Sequence, residues 1–270
     1  MAVNNVNLDH QDTIQLIYFA AVLISLWVCE AVVSPVILKS KLNHTRVNLS
    51  FIITALPIQL FMIGNVLLLC NWTNNHHWGL VNWIPFHNNP WVYYISLFML
   101  MDLCEYTYHV IMHKFDFLWK FHLVHHSDLQ VDVSTTTREH PGETFIRTSF
   151  LMLWVFLLGP TALVLVLRQT VQTFANITAH TEFRLPHKVN KIVGLVFITP
   201  NLHQVHHHYQ LPYTDCNYGD VLCIWDRLFG TYAELDPEHT VYGVDTHMEP
   251  HINARFLNIL KIPFQKLNRK

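Results

Sequence analysis

The first apolar run, from about Ile14 to Leu38, is long enough to cross a bilayer as a helix, and this leaves few folds open to the chain. A second run extends from about Phe51 to Cys70, a third from about Trp91 to Met112 and a fourth from Thr148 to Leu167. The third turns polar in its last half, where Asp102, Glu105, His109 and His113 appear. Charged residues make up only 13% of the chain, about half the share of a soluble domain, so part of the surface is expected to face lipid. The polar N-terminus lacks the basic stretch of a signal peptide, so the first run reads as a retained anchor.

Lys and Arg placement predicts an orientation. None occurs before the first run or between Asn71 and Pro90, whereas Lys39, Lys41 and Arg46 fall in the expected loop between the first two helices. Lys114 and Lys120 follow the third helix. The positive-inside rule then puts the N-terminus and the second loop outside, and the remainder in the cytosol. Arg147 and Arg168 bracket the fourth run, which Gly159-Pro160 breaks; it reads either as a re-entrant hairpin or as a plain fourth span. The fold expected is an all-α integral membrane protein of three to four transmembrane helices, counting that run, under a cytosolic helical cap. The whole chain, 1–270, reads as one domain.

The other unusual feature is 20 histidines, against 17 Lys and Arg together. Binding metal is the commonest use of such an excess of imidazole. Five cysteines form no CxxC pair and suggest buried thiols, neither a disulfide framework nor a thiolate zinc site. The net charge of −2 gives no reason to expect a nucleic-acid partner.

The histidines cluster. His109 and His113 are spaced i, i+4 at the end of the third run and share a helix face. His122, His125 and His126 form an HxxHH box, and His203, His206 and His207 repeat it far downstream. Within such a box the first and second histidines are expected to lie one turn apart and the third to point elsewhere, so one box serves two adjacent metals. Imidazole suits Fe, Zn, Cu and Ni alike, so the spacing leaves the metal open.

HxxxH, HxxHH and a distal HxxHH in this order resemble the fatty acid hydroxylase/sterol desaturase superfamily of membrane di-iron enzymes. DxxxYxxHxxxH stands at Asp102 to His113, an RxHPxE-like element, TREHPGE, at Thr137 to Glu143, and the stretch TPNLHQVHHHYQLPYTDCNYGDVLCIWDRLFGTY is similar to the distal signature. HTEFRLP, headed by His180, is similar to an HTE motif of alkylglycerol monooxygenase-like members. The motif-bearing region runs from about 102 to 234. The resemblance implies a di-iron centre using O2 to hydroxylate or desaturate a C–H bond in a membrane lipid such as a sterol, fatty acyl, sphingolipid or ether lipid. It implies a multi-pass protein of the bacterial inner membrane or endoplasmic reticulum, with its metals on the cytosolic side. The competing classes are a membrane metal-dependent hydrolase and a non-catalytic metal-binding protein. No HExxH is present for the first, and for the second the histidines gather at one face.

The expected metal ligands are His109, His113, His122, His125, His126, His203, His206 and His207, with His180 as the ninth. His140 ranks behind His180 because Pro141 disfavours a helix at that point; beside Arg138 it is a candidate for contacting a lipid head group. Asp102 is expected to hold an imidazole N–H, with Glu105 either doing so or marking the helix end. Asp215, Asn217 and Asp226 read as ligand-orienting groups or turn caps. Trp225 reads as ordinary packing. His208 is expected to point away from the metals, and the remaining histidines lack a companion box. No GxGxxG occurs, and no bound flavin, haem or nicotinamide is expected, so electrons should come from a cytochrome, ferredoxin or reductase partner.

Overall fold

The computed structural model of the chain describes residues 8–85 and 89–266, with side chains from residue 14. His87 lies outside the described residues, and of His10 only the backbone is described. The described chain is helical, with two isolated bridges, Phe197–Leu222 and His208–Tyr242, as its only β pairings.

Two helices are long and apolar enough to cross a membrane: α1, Leu8–Val33, and α2, Leu38–Asn75. Both carry apolar residues all round, and Val32, Ile53 and Phe61 are 79%, 75% and 72% exposed. Faces of that kind suit hydrocarbon and not water. At 38 residues α2 is about 57 Å long, nearly twice a bilayer core. The helix begins at Leu38, so a single crossing leaves some of its turns beyond the hydrocarbon. This corrects the loop expected between the first two helices: Lys39, Lys41 and Arg46 are helical, and Lys41 is fully buried.

The third run forms α3, Pro90–Lys114. Pro90 opens it at a position where no amide is needed, and the Asn89 side chain accepts from the Trp91 and Val92 amides. Phe115, in an extended conformation, breaks the helix, and α4, Asp116–His126, folds back at once. This corner sets the HxxxH of one helix against the HxxHH of the next. The apolar face of α4 (Trp119, Leu123 and Val124) packs on Phe51 of α2 and on Val244, Ile259 and Ile262 of the C-terminal segment, which leaves its histidine face turned inward.

The fourth run is not one helix. It folds as α5, Pro141–Leu158, and α6, Ala162–Ala179, which turn at Gly159-Pro160 so that Arg147 and Arg168 return to the same end. Gly159 is left-handed (φ 70°), and a Cβ there would stand 2.1 Å from the Trp78 carbonyl oxygen. The hairpin tip is thereby seated against the segment after α2 and against the end of α2 itself, where Cys70 Sγ and Asn74 Nδ2 donate to the Pro160 carbonyl. Short helices α7 (His187–Val193), α8 (Pro200–His206) and α9 (Ile224–Phe229) complete the histidine-bearing part. All five cysteines are free; Cys70, Cys216 and Cys223 are buried and Cys29 is exposed.

Candidate metal centre

Four elements deliver nine imidazoles to one interior. His109 and His113 come from the end of α3, His122, His125 and His126 from α4, His180 from the C-cap of α6, and His203, His206 and His207 from α8 and its C-cap. They form two groups whose ring nitrogens lie within 4.8 Å of one another: His109, His113, His122, His126 and His206 in one, and His125, His180, His203 and His207 in the other. The groups abut, with His126 stacked on His207 at a centroid distance of 4.6 Å.

Each HxxHH box is divided between the two groups, but not in the way its spacing suggests. The first and third histidines of a box stay together (His122 with His126, His203 with His207), and the second, His125 or His206, crosses to the other group. At about 100° per residue, i, i+4 side chains diverge by about 40° but i, i+3 side chains by about 60° in the opposite sense. The i, i+4 pair therefore converges more closely.

The rings are oriented from outside. His122 Nδ1–H donates to Glu143 at 2.6 Å, and His113 Nδ1–H to Asp215 at 3.3 Å. His109 donates to the Tyr218 carbonyl at 2.9 Å, His206 to that of Cys216 at 2.6 Å and His180 to that of Asn176 at 2.8 Å. Each bond fixes the neutral ring in the tautomer with a bare Nε2 lone pair. His109 Nε2 and His122 Nε2 then face each other at 3.1 Å with no proton between them. His180 Nε2 lies 3.0 Å from His125 Nε2 and 2.9 Å from His203 Nε2. Imidazole nitrogens sharing a metal ion at about 2.0–2.1 Å stand about 3 Å apart. Converged lone pairs at that spacing repel unless a cation lies among them, so the donor set fits a pair of metal ions.

The protonation state suits the same purpose. Burial pushes His180 down to about 4 and His206 to about 3, and holds His125, His126, His203 and His207 well below the usual range. Metal binding requires neutral imidazole. Burial pushes the Glu143 carboxyl upward, but His122 and the Arg147 guanidinium outweigh it and keep Glu143 ionised below its ordinary value.

Several expected roles change. Asp102 does not touch an imidazole; its Oδ2 accepts from the Trp225 indole at 2.8 Å, which gives both residues a part in docking α9 on α3. Glu105 pairs with Arg168 at 3.3 Å. His140 caps α5, its Nδ1 accepting from the Gly142 amide while Nε2–H donates to the Leu260 carbonyl. Arg138, fully buried, donates to the Val124 carbonyl, Asn48, Ser127 and Asn253, so the pair does not face a lipid head group. Asn217, at φ 49°, and Asp226 hold the turns around Tyr218 through backbone bonds and touch no imidazole. Asp215 does orient an imidazole. His208 accepts from the Val241 amide, away from both groups.

Glu143 has no role assigned from the sequence, although it closes the TREHPGE element. A carboxylate in the first turn after a Pro at N1 was the available signal. The Lys41 site was also missed. Lys41 Nζ lies 3.0 Å from Glu30, 3.1 Å from Asp132 and 2.7 Å from Glu182. It joins α1 and α2 to the segments that follow the first HxxHH box and His180. Its four members are scattered through the sequence without a pattern.

Two abutting imidazole clusters on helices next to apolar spans define a histidine-rich, helical metal-binding membrane-type protein. The profile of the fatty acid hydroxylase family matches residues 94–231, just over half the chain, and the chain belongs to that family. It is 30% identical over 181 residues to the alkylglycerol monooxygenase of Homo sapiens, covering 65% of this chain and 38% of that protein. Against an ornithine lipid hydroxylase of Rhizobium tropici it is 31% identical over 166 residues (61% and 48%), and against the cholesterol 25-hydroxylase of Homo sapiens 25% over 134 residues (49% and 48%). The chain thus spans less than half the length of these relatives. No solved structure matches.

Proposed function

We propose that the chain is a single-domain, multi-pass membrane oxygenase that holds two iron ions on its nine clustered histidines and hydroxylates a C–H bond of a membrane lipid. The observation that carries this reading is the convergence of inward Nε2 lone pairs in two abutting groups. The relatives' names support hydroxylation over desaturation, since each is a hydroxylase or monooxygenase acting on a lipid. When bound, an iron pair supplies the activation of O2. One oxygen atom enters the C–H bond and the other leaves as water, with two electrons and two protons from outside.

The protein's own residues do the remaining work. Glu143, Asp215 and the carbonyls of Tyr218, Cys216 and Asn176 fix the ring tautomers. The fold buries the imidazoles away from bulk water. Tyr108, Glu105, Glu139, Arg147 and Asn176 line the open side of the clusters, where the substrate carbon approaches. The site faces the cytosol, of a bacterium or below the endoplasmic reticulum, where a cytochrome, ferredoxin or reductase delivers the electrons. Purified protein with such a donor and isotopically labelled O2 is expected to contain two irons per chain and to put label into a lipid hydroxyl. Label entering from water, with a single zinc bound, points to a hydrolase and overturns the reading.

A further inference from the structure

One lobe of the histidine-bearing part has an outer side like that of the spans, although its helices are far too short to cross a bilayer. It consists of α7, the turn 194–197 and α9. Its inner side is closed. Ile198 packs with Ala179, Leu202 and Cys223, and the amides of Ile198 and Cys223 donate to the carbonyls of Val221 and Val196. The Arg227 guanidinium donates to the Gly194 carbonyl at 2.8 Å and so ties α9 to the turn. The outer side carries Ile192, Leu195, Val196, Phe197, Leu228 and Phe229, all exposed. Ile192 and Leu228 are 69% and 67% exposed, close to Ile53 on α2. Large apolar groups gathered in this way mark a contact surface.

The depth of the lobe indicates what covers it. Exposed Trp72, Trp78, Trp83 and Trp91 gather at the end of the molecule away from the histidines, as at a membrane–water boundary. From Trp91, α3 runs towards the histidines and holds α9 against its middle, through the Asp102–Trp225 bond and the stacking of Phe229 on Tyr106 at 5.5 Å. Tyr106 is about 23 Å along the helix from Trp91, short of the roughly 30 Å of a hydrocarbon core. The end of α9 is therefore level with acyl chains. The charges select the same partner. Lys188 and Lys191 are exposed, and no Asp or Glu occurs from 187 to 197. A second copy placed on this patch by a two-fold axis sets lysine towards lysine, whereas an anionic lipid surface attracts both.

We infer that α7, the turn 194–197 and the end of α9 form an interfacial foot sunk in the leaflet on the histidine side. Its apolar side chains lie among acyl chains, and Lys188 and Lys191 reach anionic head groups. This rests on the multi-pass membrane reading. The foot lies in the chain between His180 and His203, so it fixes against the bilayer the segment that joins two members of the four-histidine cluster.

The test uses the full chain, with Cys29→Ser and Cys104→Ala to leave only buried thiols, in nanodiscs of phosphatidylcholine and phosphatidylglycerol. A fluorophore is attached in turn at Ile192→Cys, Leu228→Cys, Ile53→Cys and Glu238→Cys, and is quenched by spin-labelled lipid or by aqueous iodide. Labels at 192 and 228 are expected to respond to lipid as the label at 53 does and to be shielded from iodide; the label at 238 should do the reverse. Spin-labelled phosphatidylglycerol should quench at 192 more strongly than the phosphatidylcholine analogue. Lys188→Gln with Lys191→Gln should remove that preference, up to about fivefold per lysine. Iodide quenching at 192 and 228, with lipid quenching at 53, overturns the foot alone. Shielding from both quenchers, with cross-linking between chains at 192, puts a second copy on the patch and also overturns it. An unaltered preference in the lysine variant overturns the assignment of head groups to Lys188 and Lys191. Iodide quenching at 53 overturns the membrane reading itself.

Discussion

The five-histidine and four-histidine clusters are built from one residue type, yet they are held in different ways. Four of the five rings in the first (His109, His113, His122 and His206) give their outer nitrogen to a carboxylate or carbonyl. In the second only His180 is tied in this way; His203 and His207 each bury an Nδ1 with no partner among the described residues. The second cluster is instead held at its flanks. Asp132 lies beyond the first HxxHH box and Glu182 lies two residues after His180, and both close on Lys41. Direct bonds to four of its rings hold one candidate site, and a buried charge clamp on the neighbouring backbone holds the other. Loss of a single group is therefore expected to affect them differently.

The largest difference is expected from ligand removal. His203→Ala leaves three imidazoles in its cluster and should drop metal from two ions per chain to one, measured by elemental analysis, with lipid oxidation lost. His113→Ala leaves four in the other and should retain weakened binding of both. Equal loss in the two variants contradicts the assignment of five and four. Next is Lys41→Met, which leaves buried Glu30 and partly exposed Glu182 without their cation, while His44 still faces Asp132 at 3.2 Å. A destabilisation of about 3–5 kcal/mol is expected in denaturant unfolding, and in protein that still folds the four-histidine site should lose metal first. Preferential loss from the five-histidine site breaks the clamp argument.

Smaller effects follow from the groups around the rings. Glu143→Gln should weaken metal binding at the five-histidine site by about 10–100-fold, as losing an acceptor behind a ligand does, with the fold intact. Asp215→Asn should fall at or below the lower end, because that bond is longer (3.3 Å) and Asp215 also serves the exposed Lys114. A larger effect at Asp215 than at Glu143 reverses the ranking. The smallest effect is expected for His140→Ala, which removes an N-cap and about 1 kcal/mol of stability while metal content stays full. Loss of metal in that variant would place His140 in the site.

Much of this was legible in the chain because helical spacing is local. The i, i+4 pair His109 and His113 and the two boxes announce shared faces before any tertiary contact is known, and Gly159-Pro160 marks where the fourth run breaks. Legibility stopped at contacts over long separations. A bare carboxylate near the end of an apolar helix points to Asp102 as an acceptor behind an imidazole; it serves Trp225, 123 residues away. Glu143 reaches His122 from another helix.

The sequence alone pointed to the class of the protein: apolar runs long enough to cross a bilayer, and histidines in the numbers and spacings that suit metal. Only the tertiary structure decided the partition into five and four, the acceptors behind the tied rings and the burial of Lys41 among three carboxylates. Periodicity places side chains on a helix face at no distance in sequence, whereas a ring's partner is chosen by how separate helices dock. The carbonyls of Tyr218, Cys216 and Asn176 make the point most clearly, because every residue carries a carbonyl and only the fold aims one at an imidazole.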